Sequence, residues 1–253
     1  MTALLTAELR RMYLRRMARA LLLVALLAII VAAVWVFIVS DPAHRFDRFD
    51  YTALDEILMG LSSLLTILAL ILGASFMGAD WQKGVVTTTL TWEPRRVRLL
   101  LTKMLACAVA AALVVLVIQL LFAAAMWPVA AAKGSTAGVD GDWLRSTAGV
   151  MLRIAALGGF TAVVGCSLAS IGRNTAVAIG VNFAYFAVIE SLLRGFKPQW
   201  QPYLLGDNIA QLLSNQQVIS PDHSVLDAVL VLTVYAILFM GAATALFVRR
   251  DVT

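Results

Sequence analysis

The feature that most limits what this chain can fold into is a set of six apolar runs, at 20–40, 53–77, 99–127, 146–171, 175–193 and 225–247. A helix needs about 20 apolar residues to cross a hydrocarbon core about 30 Å thick. Each run meets that length and is bounded by charges, prolines or glycines. Of the 253 residues, 61% are hydrophobic and 14% charged, against about half and a quarter in soluble domains. A soluble fold of this size cannot bury so much apolar side chain. In lipid, backbone groups must be bonded within the segment, which leaves helices as the solution for runs of this length. The sequence therefore predicts an all-α membrane protein with six transmembrane helices in a single domain spanning 1–253.

The connections divide by charge. Residues 1–19 carry Arg10, Arg11, Arg15, Arg16 and Arg19 among Leu5, Leu9, Met12 and Met17, a pattern that predicts an amphipathic helix lying in the membrane interface. With the N-terminus inside, thirteen of the 20 Lys and Arg residues fall on the inner side and seven on the outer. The positive-inside rule then places both termini in the cytoplasm. The net charge of +5 belongs to these flanks and predicts no nucleic-acid partner. The apolar run 20–40 is too long for a signal peptide and reads as an uncleaved span. Asp41-Pro42 stops it, Pro128 is expected to close the third span, and Gly172, Arg173 and Asn174 make a short turn between the fourth and fifth.

Several activities are excluded by residue type. His44 and His223 both lie in loops, so Ser167 has no histidine partner within the spans. No cluster of metal ligands is present, and Cys107 and Cys166 sit inside apolar runs as small hydrophobes. There is no phosphate-binding G-x-x-x-x-G-K-[ST]; Lys133-Gly134-Ser135-Thr136 has the wrong order. The chain is expected to be no enzyme and to hold no metal or cofactor. Two charges, Arg153 and Glu190, lie inside apolar runs, where ionisable groups are costly. Counted from Arg173, both sit about 25–30 Å along adjacent antiparallel helices. They are expected to pair, or to snorkel separately to the outer interface. Gln119, Asn174 and Asn182 read as interhelical glue, and Gly158, Gly159 and Gly165 as sites of close helix packing.

The longest inner connection carries most information. Residues 73–106 read GASFMGADWQKGVVTTTLTWEPRRVRLLLTKMLA. Asp80, Trp81, Gln82 and Lys83 can open a short helix on the membrane surface, and Pro94 suits the break before the next helix. This stretch resembles the first cytoplasmic loop of ABC-2 type permeases, the membrane subunits of a class of ABC exporters. Gly84, Leu90, Pro94, Arg96 and Lys103 match the family pattern, and TTTLTWEPRR is similar to the actinobacterial form. Gln82 stands where the family more often has Glu, and the Gly84–Pro94 spacing is one residue long. The terminal FVRRDV and the plan of six spans with a long outer stretch before the last also resemble the family.

The resemblance implies a permease subunit of an ATP-driven exporter in a bacterial inner membrane, paired with a second permease, identical or homologous, and with two ABC ATPases that hold ATP and Mg²⁺. It implies that 79–93 is a coupling helix docking the ATPase, with 1–19 beside it, and that 194–224 forms re-entrant helices at the outer gate. A hydrophobic or amphipathic cargo (drug, lipid or peptide) suits spans with so few charges. The alternatives are a membrane scaffold or immunity protein without transport, and a secondary transporter; the latter is disfavoured by the lack of an internal repeat.

Overall fold

The computed structural model describes residues 2–13, 16–40, 49–92, 95–214 and 223–249. Among them the regular structure is helical, joined by short turns, with one isolated bridge between Asp50 and Ser135. The elements are α1 (Thr2–Tyr13), α2 (Arg16–Val39), α3 (Leu54–Gln82), α4 (Val85–Trp92), α5 (Arg96–Lys133), α6 (Gly141–Gly172), α7 (Thr175–Ala184), α8 (Ser191–Phe196), α9 (Leu205–Ser214) and α10 (Val225–Arg249). A π-helical turn, Tyr185–Glu190, joins α7 to α8, and a 3₁₀ segment, Pro198–Tyr203, precedes α9. Among the described residues six helices are long and apolar enough to cross a membrane: Arg19–Val39, Tyr51–Gln82, Arg96–Lys133, Gly141–Gly172, Thr175–Phe196 and Val225–Arg249. This is the architecture of a multi-pass membrane protein. The side chains that point out of the bundle along α2, α7 and α10, such as Leu27, Ile38, Phe183 and Leu230, are large and apolar. That is the surface a lipid-facing wall requires.

α6 is the centre of the bundle. Within its most apolar window 78% of residues are buried, against 11% in α2, in Thr175–Phe196 and in α10. It lies alongside α3 in the same direction, as shown by contacts from its start, its middle and the residue that opens α7. Thr147 Oγ1 donates to Asp55 Oδ1 (2.6 Å), Thr161 Oγ1 donates to the Thr66 carbonyl (3.1 Å), and Thr175 Oγ1 donates to the Ala74 carbonyl (3.4 Å). Small residues let the two backbones meet. A Cβ added at Gly73 would overlap the Ala162 carbonyl, and one at Gly165 the Leu70 carbonyl. Without a hydrophobic force between helices in lipid, such close packing and interhelical hydrogen bonds hold a bundle together.

Two span ends differ from the sequence expectation. α5 runs through Pro128 to Lys133, although proline removes an intrahelical bond and crowds the carbonyl four residues back. Tertiary anchors hold that end. Tyr51 donates its hydroxyl to the Ala123 carbonyl (3.0 Å) and meets Trp127 edge-to-face at 5.0 Å. The Tyr51 N–H donates to the Ser135 carbonyl and the Ser135 N–H to the Phe49 carbonyl, both at 3.0 Å. α3 likewise continues through Gln82, past the expected end at Met77. The turn between α6 and α7 falls where expected. Arg173 has φ 52°, and the Asn174 side chain accepts from the Ala176 N–H (2.8 Å) to start α7.

Candidate functional site

The end of the bundle that carries α1 and α4 gathers most of the polar residues singled out in the sequence. Asp80 and Trp81 belong to the last turn of α3, not to a separate surface helix as expected. The break comes at Gly84, whose φ of +66° suits a residue without Cβ. Asp80 points inward, 1% exposed, and meets Lys103 of α5, also 1% exposed, at 2.7 Å. Lys103 Nζ donates as well to Glu8 Oε2 of α1 (3.1 Å), and Glu8 is 2% exposed. Arg11 closes the group, at 3.2 Å from Glu8 and 3.9 Å from Asp80. Glu8, Asp80 and Lys103 thus neutralise one another out of water, with Arg11 at the solvent edge of the group, and the four come from three helices. A buried charge is tolerable only when so paired. Phe76 lies 5.1 Å from Lys103 Nζ by its ring centre and adds a cation–π contact.

Around this quartet the remaining helix ends are tied in. The Trp81 ring lies 4.7 Å from the Arg173 guanidinium and 5.8 Å, edge-to-face, from Phe247 of α10. Arg96, in the first turn of α5, donates to the Val248 carbonyl (3.2 Å) at the end of α10. A cation there complements the negative end of the helix dipole. α4 follows Gly84 as a short helix of mixed character. Val86 is buried and Leu90 half-buried, which fixes one face to the bundle. Thr87, Thr88 and Thr91 are exposed, with hydroxyls donating to Gly84, Gly84 and Thr88 carbonyls. Gln82, Lys83 and Gly84 are exposed beside them. Pro94 lies outside the described residues.

At the opposite end, Glu190 is buried but does not meet Arg153. Its carboxylate accepts from the Gly206 N–H at 2.7 Å and from Arg194 Nη2 at 3.4 Å. Arg194 also bridges to Asp207 at 2.8 Å. Arg153 instead donates to the Gly149 and Leu212 carbonyls, at 3.3 and 3.4 Å. The π-helical turn explains the difference. Its wider winding adds a residue per turn, so Glu190 leaves the face that a regular helix would assign it. It reaches the first turn of α9, where backbone N–H groups lack helical partners. The segment before α10 is held by further polar contacts. Asn208 donates to the Pro202 and Leu204 carbonyls (3.0 and 2.7 Å), and Gln211 donates to the His223 carbonyl (3.1 Å).

This assignment has a direct check. Glu190→Leu leaves the half-buried Gly206 N–H without its carboxylate and is expected to cost about 1–2 kcal/mol. Adding Arg153→Leu should change stability additively, within about 0.5 kcal/mol, because the two side chains share no contact. A coupling well above that in detergent thermal unfolding would restore the Arg153–Glu190 pair.

The sequence reading missed the Asp80–Lys103–Glu8 contact, and one part of a signal for it was present. Glu8 is the one acid among the five arginines of 1–19. Among the described residues no group of three or more His, Cys, Asp or Glu is placed to hold a metal ion. Residues 25–253 match a family described as a protein of unknown function, DUF2705. No curated protein matches the chain. The match takes in all six long helices apart from the first residues of α2, and the chain belongs to the DUF2705 family.

Proposed function

We propose that this chain is the transmembrane subunit of an ATP-driven exporter of the ABC-2 type, docking a separate ATPase through α4. The observation that carries the reading is the placement of α4. It lies between the second and third long helices, anchored by Val86 and Leu90, with Thr87, Thr88 and Thr91 facing outward beside Gln82 and Lys83. A docking helix needs such a two-sided character: one face fixed to the spans, the other free for a partner. The quartet of Asp80, Lys103, Glu8 and Arg11 lies just before it and makes α1, α3 and α5 move as one body. A push on α4 would then be transmitted to two spans at once.

In this reading α1 and α4 lie in the cytoplasm of a bacterial cell, consistent with the thirteen basic residues assigned to that side. The segment from α8 to α9 would stand at the outer mouth as short helices folded back against the bundle. Two such subunits with two ATPases would make the working unit, and ATP and Mg²⁺ would be held by the ATPases. The cargo would be hydrophobic or amphipathic.

The test is co-purification from the native host in mild detergent. A stoichiometric P-loop ATPase is expected with the unaltered protein. Thr88→Glu with Thr91→Glu should reduce its recovery at least about tenfold, since two charges facing a packed interface without partners are costly. These residues are exposed, so the yield of folded protein should stay unchanged. Recovery of intact, monodisperse protein with no ATPase in several detergents would sink the exporter reading and favour a scaffold or immunity role.

A further inference from the structure

An apolar groove runs between α2, α3 and α5, and it is assigned to no role above. Its wider part, about 250 Å³, reaches from Leu9 of α1 to Leu72 and Ala110. A narrower part, about 100 Å³, continues past Leu58 and Phe122. The two parts share Leu65, Leu68 and Ile118, so they form one channel along the bundle. Among the described residues that line it, Gln119 alone is polar, and its amide nitrogen is used by the Val115 and Met151 carbonyls. The groove has a cause in the sequence. α2 packs on α5 and touches α3 only sparsely. On the groove face it carries Ala25, Ala28 and Ala32, spaced three and four apart. Short side chains on that stripe leave room that leucines would fill.

Dimensions and charge say what fits. From Leu58 to Leu72 the wall is about 21 Å long at 1.5 Å per residue. One leaflet of a bilayer core is about 15 Å deep, so the groove takes an extended acyl chain with its end past the midplane. A dry apolar cavity of about 150 Å³ already takes a benzene ring, and the wider part here exceeds that. At the α1 end the groove opens beside Leu9. Arg10 follows Leu9 directly, and Arg19 precedes Leu21 by two residues; both are exposed. Glu8, the acid of this segment, is taken up by Lys103 and Arg11. The mouth is therefore cationic, and guanidinium groups bind phosphate oxygens in a planar, paired geometry.

We propose that this groove is a binding site for one anionic glycerophospholipid of the leaflet in which α1 lies, with an acyl chain between α2, α3 and α5 and the phosphate beside Arg10 and Arg19. The site does not depend on the exporter reading. The lipid completes the seat of α2, the span with the fewest protein contacts on its α3 side.

The test uses the full chain, purified and delipidated in detergent, then titrated with phosphatidylglycerol or phosphatidylcholine in mixed micelles and followed by native mass spectrometry. One phosphatidylglycerol per chain is expected, held about tenfold or more tighter than phosphatidylcholine, as contacts from two arginines allow. Arg10→Gln with Arg19→Gln should erase that preference without touching the packing. Leu68→Trp should block the groove and abolish binding of both lipids. Ala28→Phe, from the opposite wall, should do the same and serves if the first variant does not fold. Leu230→Trp, on the outer face of α10, should leave binding unchanged. Equal affinity for the two lipids in the unaltered protein, or full binding by a folded groove-filling variant, overturns the proposal.

Discussion

Lys103→Met is expected to lower the stability of the protein by about 3–5 kcal/mol, the cost of removing one partner from a buried charge cluster. Asp80 and Glu8 would then face each other at 1% and 2% exposure. Among the described residues Arg11, itself 38% exposed, would remain to balance them. Domains are stable by about 5–15 kcal/mol, so the loss should appear both as poor yield and as a thermal midpoint lowered by several degrees in detergent. The same argument predicts a rescue. Combining Lys103→Met with Glu8→Met and Asp80→Leu removes all three charges, and most of the lost stability should return, because well-packed hydrophobic side chains of similar volume often replace a buried ion cluster at little cost. An unchanged midpoint for Lys103→Met alone would mean that the three charges are not buried together. The rescued triple variant has a second use. Folded, but without the tether between α1, α3 and α5, it should still recover the ATPase if α4 alone forms the docking face.

Gly73→Ala should be nearly as damaging, although it adds one methyl group. The obstacle is the Ala162 carbonyl, which is backbone of the central helix and has no rotamer through which to retreat. Overpacking costs about 1–3 kcal/mol where side chains can adjust, and here α3 and α6 must separate along their shared face. A loss of about 3 kcal/mol or more is expected, read as the midpoint of thermal unfolding. Gly180 of α7 provides the comparison, since a Cβ there meets nothing within 4 Å. Gly180→Ala should leave the midpoint where it is. If both alanines behave alike, the close approach of α3 and α6 is not what holds the centre.

The six long helices were legible because length and hydropathy are properties of a single segment. Their ends were less so. Met77 and Pro128 mark where apolar composition or backbone freedom changes, yet α3 and α5 both continue beyond these points. Partners supplied by distant residues decide that: Lys103 for Asp80, and Arg173 and Phe247 for Trp81. Arg173 was legible as part of a turn and carries positive φ; Gly84, also at positive φ, was read as part of the 79–93 helix and is instead the break before α4. The Arg153–Glu190 pair failed because only depth along the helices was counted, which does not say which face a residue takes, and Glu190 closes a π-helical turn, Tyr185–Glu190. The lone acid in 1–19 was visible, but its partner is 95 residues away. No local pattern specifies a contact at that distance.

The side-by-side run of α3 and α6 has a consequence for how the protein is made. Asp55 and Thr147, which meet across that pair, are separated by 92 positions in the chain. A ribosome adding about 5–20 residues per second needs roughly 5–18 s to produce the intervening chain. Throughout that interval the glycine face of α3 is in the membrane with no mate, and α5 must be inserted before the mate arrives. The centre of the molecule is thus assembled last among its first four crossings, and a nascent chain halted before residue 141 has spans but no keystone.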